Sequence, residues 1–571
     1  MQRTHTCGAV RLADIGRRVR VCGWLQRPRV IGGAMFVPLR DRFGTTQLLV
    51  PAEATATCAA GLPLLGDLSA TTSAQDILKH LPVESVVCAE GVVRERPAGS
   101  ANSRMPTGEV EIETSSVHVL NTASRELPFT TSAGDGVKDE QLRLRYRYLD
   151  LRRDNLQRNL VARSAIVSGL RASLLTESFM EVETPTLFKS TPEGAREFLV
   201  PARPLADGEP RCYALVQSPQ QYKQMLMAGG IDRYFQLARC YRDEGGRSDR
   251  QPEFSQVDLE MSFVDAADVM ATVETAVKNS WNAGADPSLQ LDAAVPFARM
   301  TYAEAMSRYG SDKPDMRFGL ELVDLPELLA SDDEGTATAA AVVLRCDAKW
   351  APADTKRLRE LLGAHGPGGG RDTSGAAGLG EPELSVIKVQ GASKYRGDSL
   401  PGGHEAACEV LQRLGTESGD FVFVAHGAGV GCAARVYEPV QLLLGRVRLA
   451  LAQWLEEKGE LTRPATPNML WVHDFPLYEQ DSGDGSWSAM HHPFSAPVPA
   501  DEAKLLEAVA AGSLGSGGCG DELGEVIGQC YDLTCNGTEV GGGSVRIHNP
   551  TIQRAGKDIC NPHHSPIQGR L

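Results

Sequence analysis

The segment Tyr234 to Phe263, YFQLARCYRDEGGRSDRQPEFSQVDLEMSF, constrains this chain more than any other. It reads as two strands joined by a long polar loop. In the second strand Val257, Leu259, Met261 and Phe263 alternate with Phe254, Gln256, Asp258 and Glu260. Side chains of a strand point to opposite faces with period two. One face is therefore apolar and expected to pack on a core. The other collects an aromatic ring, an amide and two carboxylates. The first strand ends at Arg242, and Glu244 follows. Such a face suits a planar, phosphorylated ligand such as a nucleotide, because arginine grips phosphate with parallel hydrogen bonds and a ring such as Phe254 stacks on a base. An exposed hairpin with ordinary surface charges fits the same residues.

A second segment, YDLTCNGTEVGGGSVRIHNP from Tyr531, carries Asn536-Gly537, a strong signal for a type I′ hairpin turn. That turn pairs Cys535 with Thr538 and Thr534 with Glu539. Asp532 then shares a face with Thr534 and lies diagonal to Glu539, roughly 7–8 Å away at Cα. Two carboxylates so placed can ligate Mg²⁺ together with phosphate oxygens, or can be plain surface acids beside a turn. Gly541 to Gly543 permit close approach of a ligand to the backbone, and Arg546 follows on the same strand.

At 571 residues, three or four domains are expected. The net charge of −15 confines any nucleic-acid contact to local basic patches. No apolar run approaches the roughly 20 residues needed to span a bilayer. The N-terminus lacks the apolar core of a signal peptide. The 13 cysteines are odd in number and lack a C-x-x-C pair, which fits free thiols in a reducing compartment. The pairs His491–His492 and His563–His564 are not metal spacings by themselves.

Residues 19 to 120 read as five β segments, starting at Val19, Ala34, Thr45, Ser85 and Glu109, with an Ala/Leu-rich helical insert at about 55–81. This pattern suits an OB-type barrel, a fold that binds single-stranded nucleic acid through one face. Arg27, Arg29, Phe36 and Gln47 are the mixture such a face uses, although a plain barrel with surface arginines fits them too. A polar linker follows. A helix is expected from about Arg153, with Leu156, Leu160, Val167, Leu170 and Leu174 forming one apolar stripe. It leads into the strand FMEVETPTL from Phe179. Residues 313 to 433 look like an insertion, with buried strands at Ala341–Cys346, Ser385–Val389 and Asp420–Gly427, and a glycine-rich segment from Ala364. A second glycine-rich patch spans Gly512 to Gly520.

Together these segments resemble the class II aminoacyl-tRNA synthetases, and among them the bacterial and organellar aspartyl-tRNA synthetases. FMEVETPTL is similar to motif 1, and YRDE with RQPEFSQVDLEMSF to motif 2. TPEGAREFLVP, SPQQYKQMLM, AMHHPF and NGTEVGGGSVRIHN are similar to signatures of the aspartate enzymes. The resemblance implies an α+β multidomain chain. Its parts would be an OB-fold anticodon-binding domain at 1–125, a linker at 126–145, an antiparallel-sheet catalytic domain at 146–312 and 434–554, and an α/β insertion domain at 313–433. It implies a homodimer, the substrates ATP, L-aspartate and tRNA(Asp), and Mg²⁺. It places Arg242, Glu244, Gln251, Phe254 and Glu539 on ATP, with Arg242 and Glu244 as the catalytic pair, and Asp532 and Glu539 on the metal. Glu193, Ser218, Gln220, Lys223, Asp258, His491, His492 and Arg546 would surround aspartate, with Lys223 and Arg546 on its side-chain carboxylate. Arg27, Arg29, Phe36, Gln47 and Glu111 would meet the anticodon. A cytoplasmic location follows, or a mitochondrion or chloroplast in a eukaryote.

The chain departs from the family in two places. Pro28, Val30 and Pro38 stand in the barrel where polar residues are more usual. The family's hairpin is followed by a helix and then motif 3, a glycine-rich strand and helix whose arginine lies against ATP. After Gln553 this chain reads RAGKDICNPHHSPIQGRL, polar, with two prolines and no helical or strand period. The catalytic domain is accordingly expected to stop near 554, with a divergent tail at 555–571. That leaves a catalytically impaired tRNA-binding paralogue as the alternative to an active ligase. A relative specific for asparagine or lysine is a further alternative.

Overall fold

The computed structural model describes residues 2–58, 72–131, 139–191, 195–203, 211–244, 250–325, 336–344, 354, 357–358, 360, 382–391, 394–400, 402–429, 433–480, 487–510 and 521–560. Glu193, the glycine-rich stretches expected within 364–381 and 512–520, and the tail from 561 lie outside them. The chain forms two compact units, Met1–Ser164 and Ala165–Leu571.

The first unit is built on strands β1 (Arg18–Leu25), β2 (Arg29–Ile31), β3 (Ala34–Asp41), β4 (Gly44–Val50), β5 (Thr55–Cys58), β6 (Thr72–Ser73), β7 (Val86–Glu95) and β8 (Val110–Asn121). Pairings β1–β3, β3–β4, β4–β8, β8–β7 and β7–β1 close a five-stranded barrel. Its inside is the alternate residues of these strands, including Val19, Val21, Val37, Leu39, Leu48, Ile112 and Val119. The expected barrel is therefore present. The helical reading of 55–81 needs correction. Residues 55–58 and 72–73 pair as β5 and β6, and among the described residues of the stretch only α1 (Ala74–His80) is helical. Thr55 and Thr57, β-branched, favour the extended chain there.

The second unit begins in helix α2 (Asp154–Thr176) and strand β9 (Met180–Glu181), followed by α3 (Gln220–Ala228), β10 (Arg233–Tyr241) and β11 (Glu253–Met261). β10 and β11 are antiparallel, and β9 joins β10 in parallel. Leu170, Leu174, Phe179, Phe235, Leu259 and Met261 pack on Ala276 of α4 (Ala266–Gly284). The apolar face of β11 is as expected at Leu259 and Met261, but not at Val257, which is 37% exposed, nor at Phe263. That residue lies beyond the strand with φ of +60° and is 96% exposed. Strand β12 (Ala298–Thr301) follows.

Further along the chain, β13 (Leu322–Asp324), β14 (Thr336–Leu344), β15 (Glu383–Gly391) and β16 (Lys394–Gly397) precede α5 (Gly403–Arg413), β17 (Phe421–Gly429) and α6 (Ala433–Lys458). The antiparallel order is β13-β14-β17-β15-β16. Residues of α5 cover one face, around Val422 and Val424. Residues of α6 cover the other, around Phe421 and Phe423.

A four-stranded sheet combines β12 with β18 (Met469–His473), β19 (Cys530–Cys535) and β20 (Thr538–Ser544), in the order β12-β18-β19-β20. Asn536 (φ +54°) and Gly537 (φ +85°) make the expected turn, and the predicted pairs Cys535–Thr538 and Thr534–Glu539 are present. Just beyond them Leu533 pairs with Gly541, so Val540 is an unpaired bulge.

The reading of residues after Gln553 as lacking a helical period is corrected by α7 (Pro550–Cys560). Ile552, Ala555 and Ile559, spaced three and four apart, are buried. The two isoleucines pack on Leu477, Leu505, Leu523 and Val526. Asn549 Oδ1 accepts from Thr551 N at 2.9 Å and starts the helix. A stripe only three residues long is easily lost among polar neighbours.

Candidate active site

Helix α3 and strand β11 form one wall. Lys223, one turn into α3, reaches Asp258 Oδ1 at 2.8 Å and Glu260 Oε2 at 3.1 Å. Period two places both acids on the face that carries Phe254. Arg546 enters from the chain after β20. Its Nη2 donates to Gln220 Oε1 at 3.1 Å, its Nη1 to Ser544 Oγ at 2.9 Å, and its Nε lies 3.7 Å from Glu260 Oε1. Glu260 therefore joins the two cations, a role that sequence reading missed although the alternation had put it on the right face.

Four buried polar atoms here lack hydrogen-bond partners: Gln220 Nε2, Asp258 Oδ2, Arg242 Nε and Arg546 Nε. Unsatisfied buried groups are rare, and a cluster of them marks a place where a polar ligand completes the bonding. Ser218, half-buried, precedes α3 by two residues.

The adjacent histidines do different things. His492 Nδ1 accepts from Phe494 N at 3.2 Å. Burial first, then the charges of Arg546 and Lys223, push its pKa down to about 3. It is therefore a neutral ring with its proton on Nε2, beside the cations that would hold aspartate. His491 turns toward the hairpin, with Nδ1 3.7 Å from Asp532 Oδ1.

Asp532 is almost fully buried. Burial and the neighbouring Glu539 raise its pKa well above the carboxylate range. Glu539 goes the other way: burial would raise it, but Lys313 at 2.8 Å holds it below the usual range. Such a pair, short of positive charge, fits a divalent cation that also takes phosphate oxygens. Among the described residues no group of three or more His, Cys, Asp or Glu side chains forms a metal site without such help. The glycines serve the protein first. A Cβ on Gly542 would lie 2.3 Å from Asp532 Oδ1, and one on Gly543 2.9 Å from the Tyr531 ring. Only at Gly541 is there open space, so the expectation of ligand approach narrows to that residue.

Among the residues expected at ATP, the Arg242 guanidinium lies 5.3 Å from the Phe254 ring centre. Arg242 N donates to Pro252 O at 2.9 Å, which closes the β10–β11 ends. Glu244 accepts from Arg250 at 3.2 Å. Gln251 is exposed next to it.

Residues 139–559 match the family described as tRNA synthetases class II (D, K and N), and residues 19–120 match the OB-fold nucleic acid binding domain. The chain belongs to the class II tRNA synthetases. The synthetase is 40% identical over 561 residues to the aspartate–tRNA(Asp/Asn) ligase of Opitutus terrae, covering 97% of this chain and 85% of that one. It is 39% identical over 573 residues to the mitochondrial aspartate–tRNA ligase of Rattus norvegicus, covering 97% and 77%. The family match runs to residue 559, through α7, so the family part extends past the expected boundary at 554. These relatives lend no support to the impaired paralogue.

The synthetase's barrel unit carries the other expected site. Arg29 pairs with Phe36 and Pro38 with Gln47, so all four share one face of the β2–β3–β4 meander. Arg27 is exposed before β2. Glu111 is buried: it accepts from Gln47 Nε2 at 2.7 Å and pairs with Arg94 at 2.9 Å. Its carboxylate sets the Gln47 amide rather than presenting itself to solvent. Among the described residues of both units, no helix is long and apolar enough to cross a membrane.

Proposed function

We propose that this synthetase is an aspartate–tRNA ligase, forming aspartyl-adenylate from L-aspartate and ATP and passing it to tRNA(Asp). One observation carries the reading: Lys223, buried, and Arg546, half-buried, are held around Glu260, with His492 neutral beside them. Two fixed cations suit a side-chain carboxylate. Asparagine would displace water from them without bringing a counter-charge of its own, which is costly. Asp258 Oδ2 and Gln220 Oε1 are acceptors for the α-ammonium, with Ser218 and Glu193 as further candidates.

The aspartate α-carboxylate is ionised at neutral pH and attacks the α-phosphorus without a general base. The O–P bond forms as the bond to pyrophosphate breaks. Arg242 stabilises charge on the α-phosphate, Phe254 stacks on adenine, and Glu244, with Gln251 near it, accepts from the adenine amino group. Asp532 and Glu539 would hold Mg²⁺, which supplies charge neutralisation on the phosphates. The terminal ribose hydroxyl of tRNA then attacks the mixed anhydride, and AMP leaves. Arg27, Arg29, Phe36 and Gln47 meet the anticodon bases, whose exposed faces suit stacking.

A homodimer is part of this reading. Leu175, Met180, Leu199 and Phe263 are all more than half exposed in the single chain, a cost that a second copy would remove. The free cysteines support a reducing compartment, cytoplasm or organelle. Aspartate-dependent exchange of pyrophosphate into ATP tests the function. Exchange with aspartate supports it, and exchange driven by asparagine or lysine instead refutes it.

A further inference from the structure

Lys313 is held in place by its surroundings more firmly than a surface lysine would be. Its segment is anchored at both ends. Gly310 (φ +62°) fits so closely that a Cβ would lie 2.1 Å from Gln441 O. Arg448, buried in α6, donates from Nη2 to Asp315 O at 2.7 Å and to Phe318 O at 3.0 Å. The Asp315 carboxylate takes Arg317 at 2.8 Å and Arg463 at 3.4 Å. A Cβ on Gly537 would meet Asp315 Cβ at 3.0 Å, so the β19–β20 turn rests on this same segment. From this strut Lys313 N donates to Ser311 Oγ at 3.0 Å. Its Nζ lies 2.8 Å from Glu539 Oε2 and 3.9 Å from Asp312 Oδ2.

We propose that Lys313 is a positioning residue of the nucleotide–metal site: its ammonium is the built-in counter-ion of the Asp532–Glu539 pair and gives up Glu539 when a divalent cation binds. The inference rests on reading that pair as the metal carboxylates. An ammonium in contact with Glu539 Oε2 repels a divalent ion on the same carboxylate and weakens its binding. Lys313 therefore competes with the metal, and holds the hairpin acids in place before substrate arrives. The displaced ammonium is chemically suited to phosphate oxygens, so metal and nucleotide entering together lose less than the metal alone.

The test is Mn²⁺ binding to the full chain without nucleotide, read from the spectrum of free Mn²⁺. Lys313→Met should bind Mn²⁺ about tenfold tighter than wild type or better, a coupling of ordinary size, and Lys313→Arg should stay near wild type. Asp532→Asn should abolish that binding in either background, which locates the ion. Binding that depends on Asp532 but is unchanged or weakened in Lys313→Met overturns the inference alone. Absence of Asp532-dependent binding in every protein overturns the metal reading and the inference with it. Should Lys313→Met fail to fold, as judged by circular dichroism, Lys313→Gln gives the same comparison.

Discussion

Lys223 Nζ stands 2.8 Å from Asp258 Oδ1, while the other oxygen of that carboxylate is buried without a partner. The lysine is thus fixed before any substrate arrives, and Asp258 keeps an acceptor in reserve. Opposite charges preset in this way cost no reorganisation at the moment of reaction.

The arginine on the other side carries the first prediction. Arg546→Leu should remove about 2–5 kcal/mol of aspartate binding, much of it from leaving the substrate carboxylate without its second cation, while Glu260 keeps Lys223. ATP binding should persist. Pyrophosphate exchange with aspartate at near wild-type rates would contradict the assignment.

His492 makes stability depend on pH. Its folded pKa of about 3 lies below the roughly 6.5 of an unfolded histidine. Between those values the unfolded chain binds the extra proton. The contribution of His492 is therefore complete above about pH 6.5 and is lost as pH falls toward 3, by up to about 1.4 kcal/mol per pH unit. Urea unfolding at pH 7, 6 and 5 should show a shallower decline for His492→Asn than for wild type. Parallel declines would show that the ring does not stay neutral in the folded protein.

In the barrel, Phe36→Ala with Gln47→Ala should weaken tRNA binding, with roughly 1–3 kcal/mol from the lost stacking. Pyrophosphate exchange should be unaffected. A filter-binding assay beside the exchange assay separates the two, and a joint fall would refute the division of labour.

Glu274 of α4 accepts from Trp471 Nε1 and Phe297 N, each at 3.1 Å, and lies 3.5 Å from Lys278. Glu274→Leu would bury an uncompensated ammonium and two donors, and should cost about 3–5 kcal/mol. Chemical denaturation measures this, and a loss below about 1 kcal/mol would contradict the account.

Much of this was legible because strand periodicity and turn chemistry are local. Phe254, Asp258 and Glu260 share a face because alternate residues must, and Asn536-Gly537 specified its own turn. Lys223 and Gln220 lie one helical turn apart. What stayed hidden depends on tertiary contact. Nothing near Lys313 in sequence points to Glu539. The bulge at Val540 shows only in the pairing of β20 with β19. Helix α7 was missed because three apolar residues among polar ones gain their meaning only from the surface they cover.

The central claim is that the Lys223–Arg546 pocket selects aspartate. Titration calorimetry with non-hydrolysable aspartyl-, asparaginyl- and lysyl-adenylate analogues on the full chain tests it most directly. The account predicts that the aspartyl analogue binds about 100-fold tighter than the others or better, since the asparaginyl side chain brings no charge to the two cations and the lysyl side chain a like one. Equal affinity for the three, or preference for the asparaginyl analogue, would contradict it.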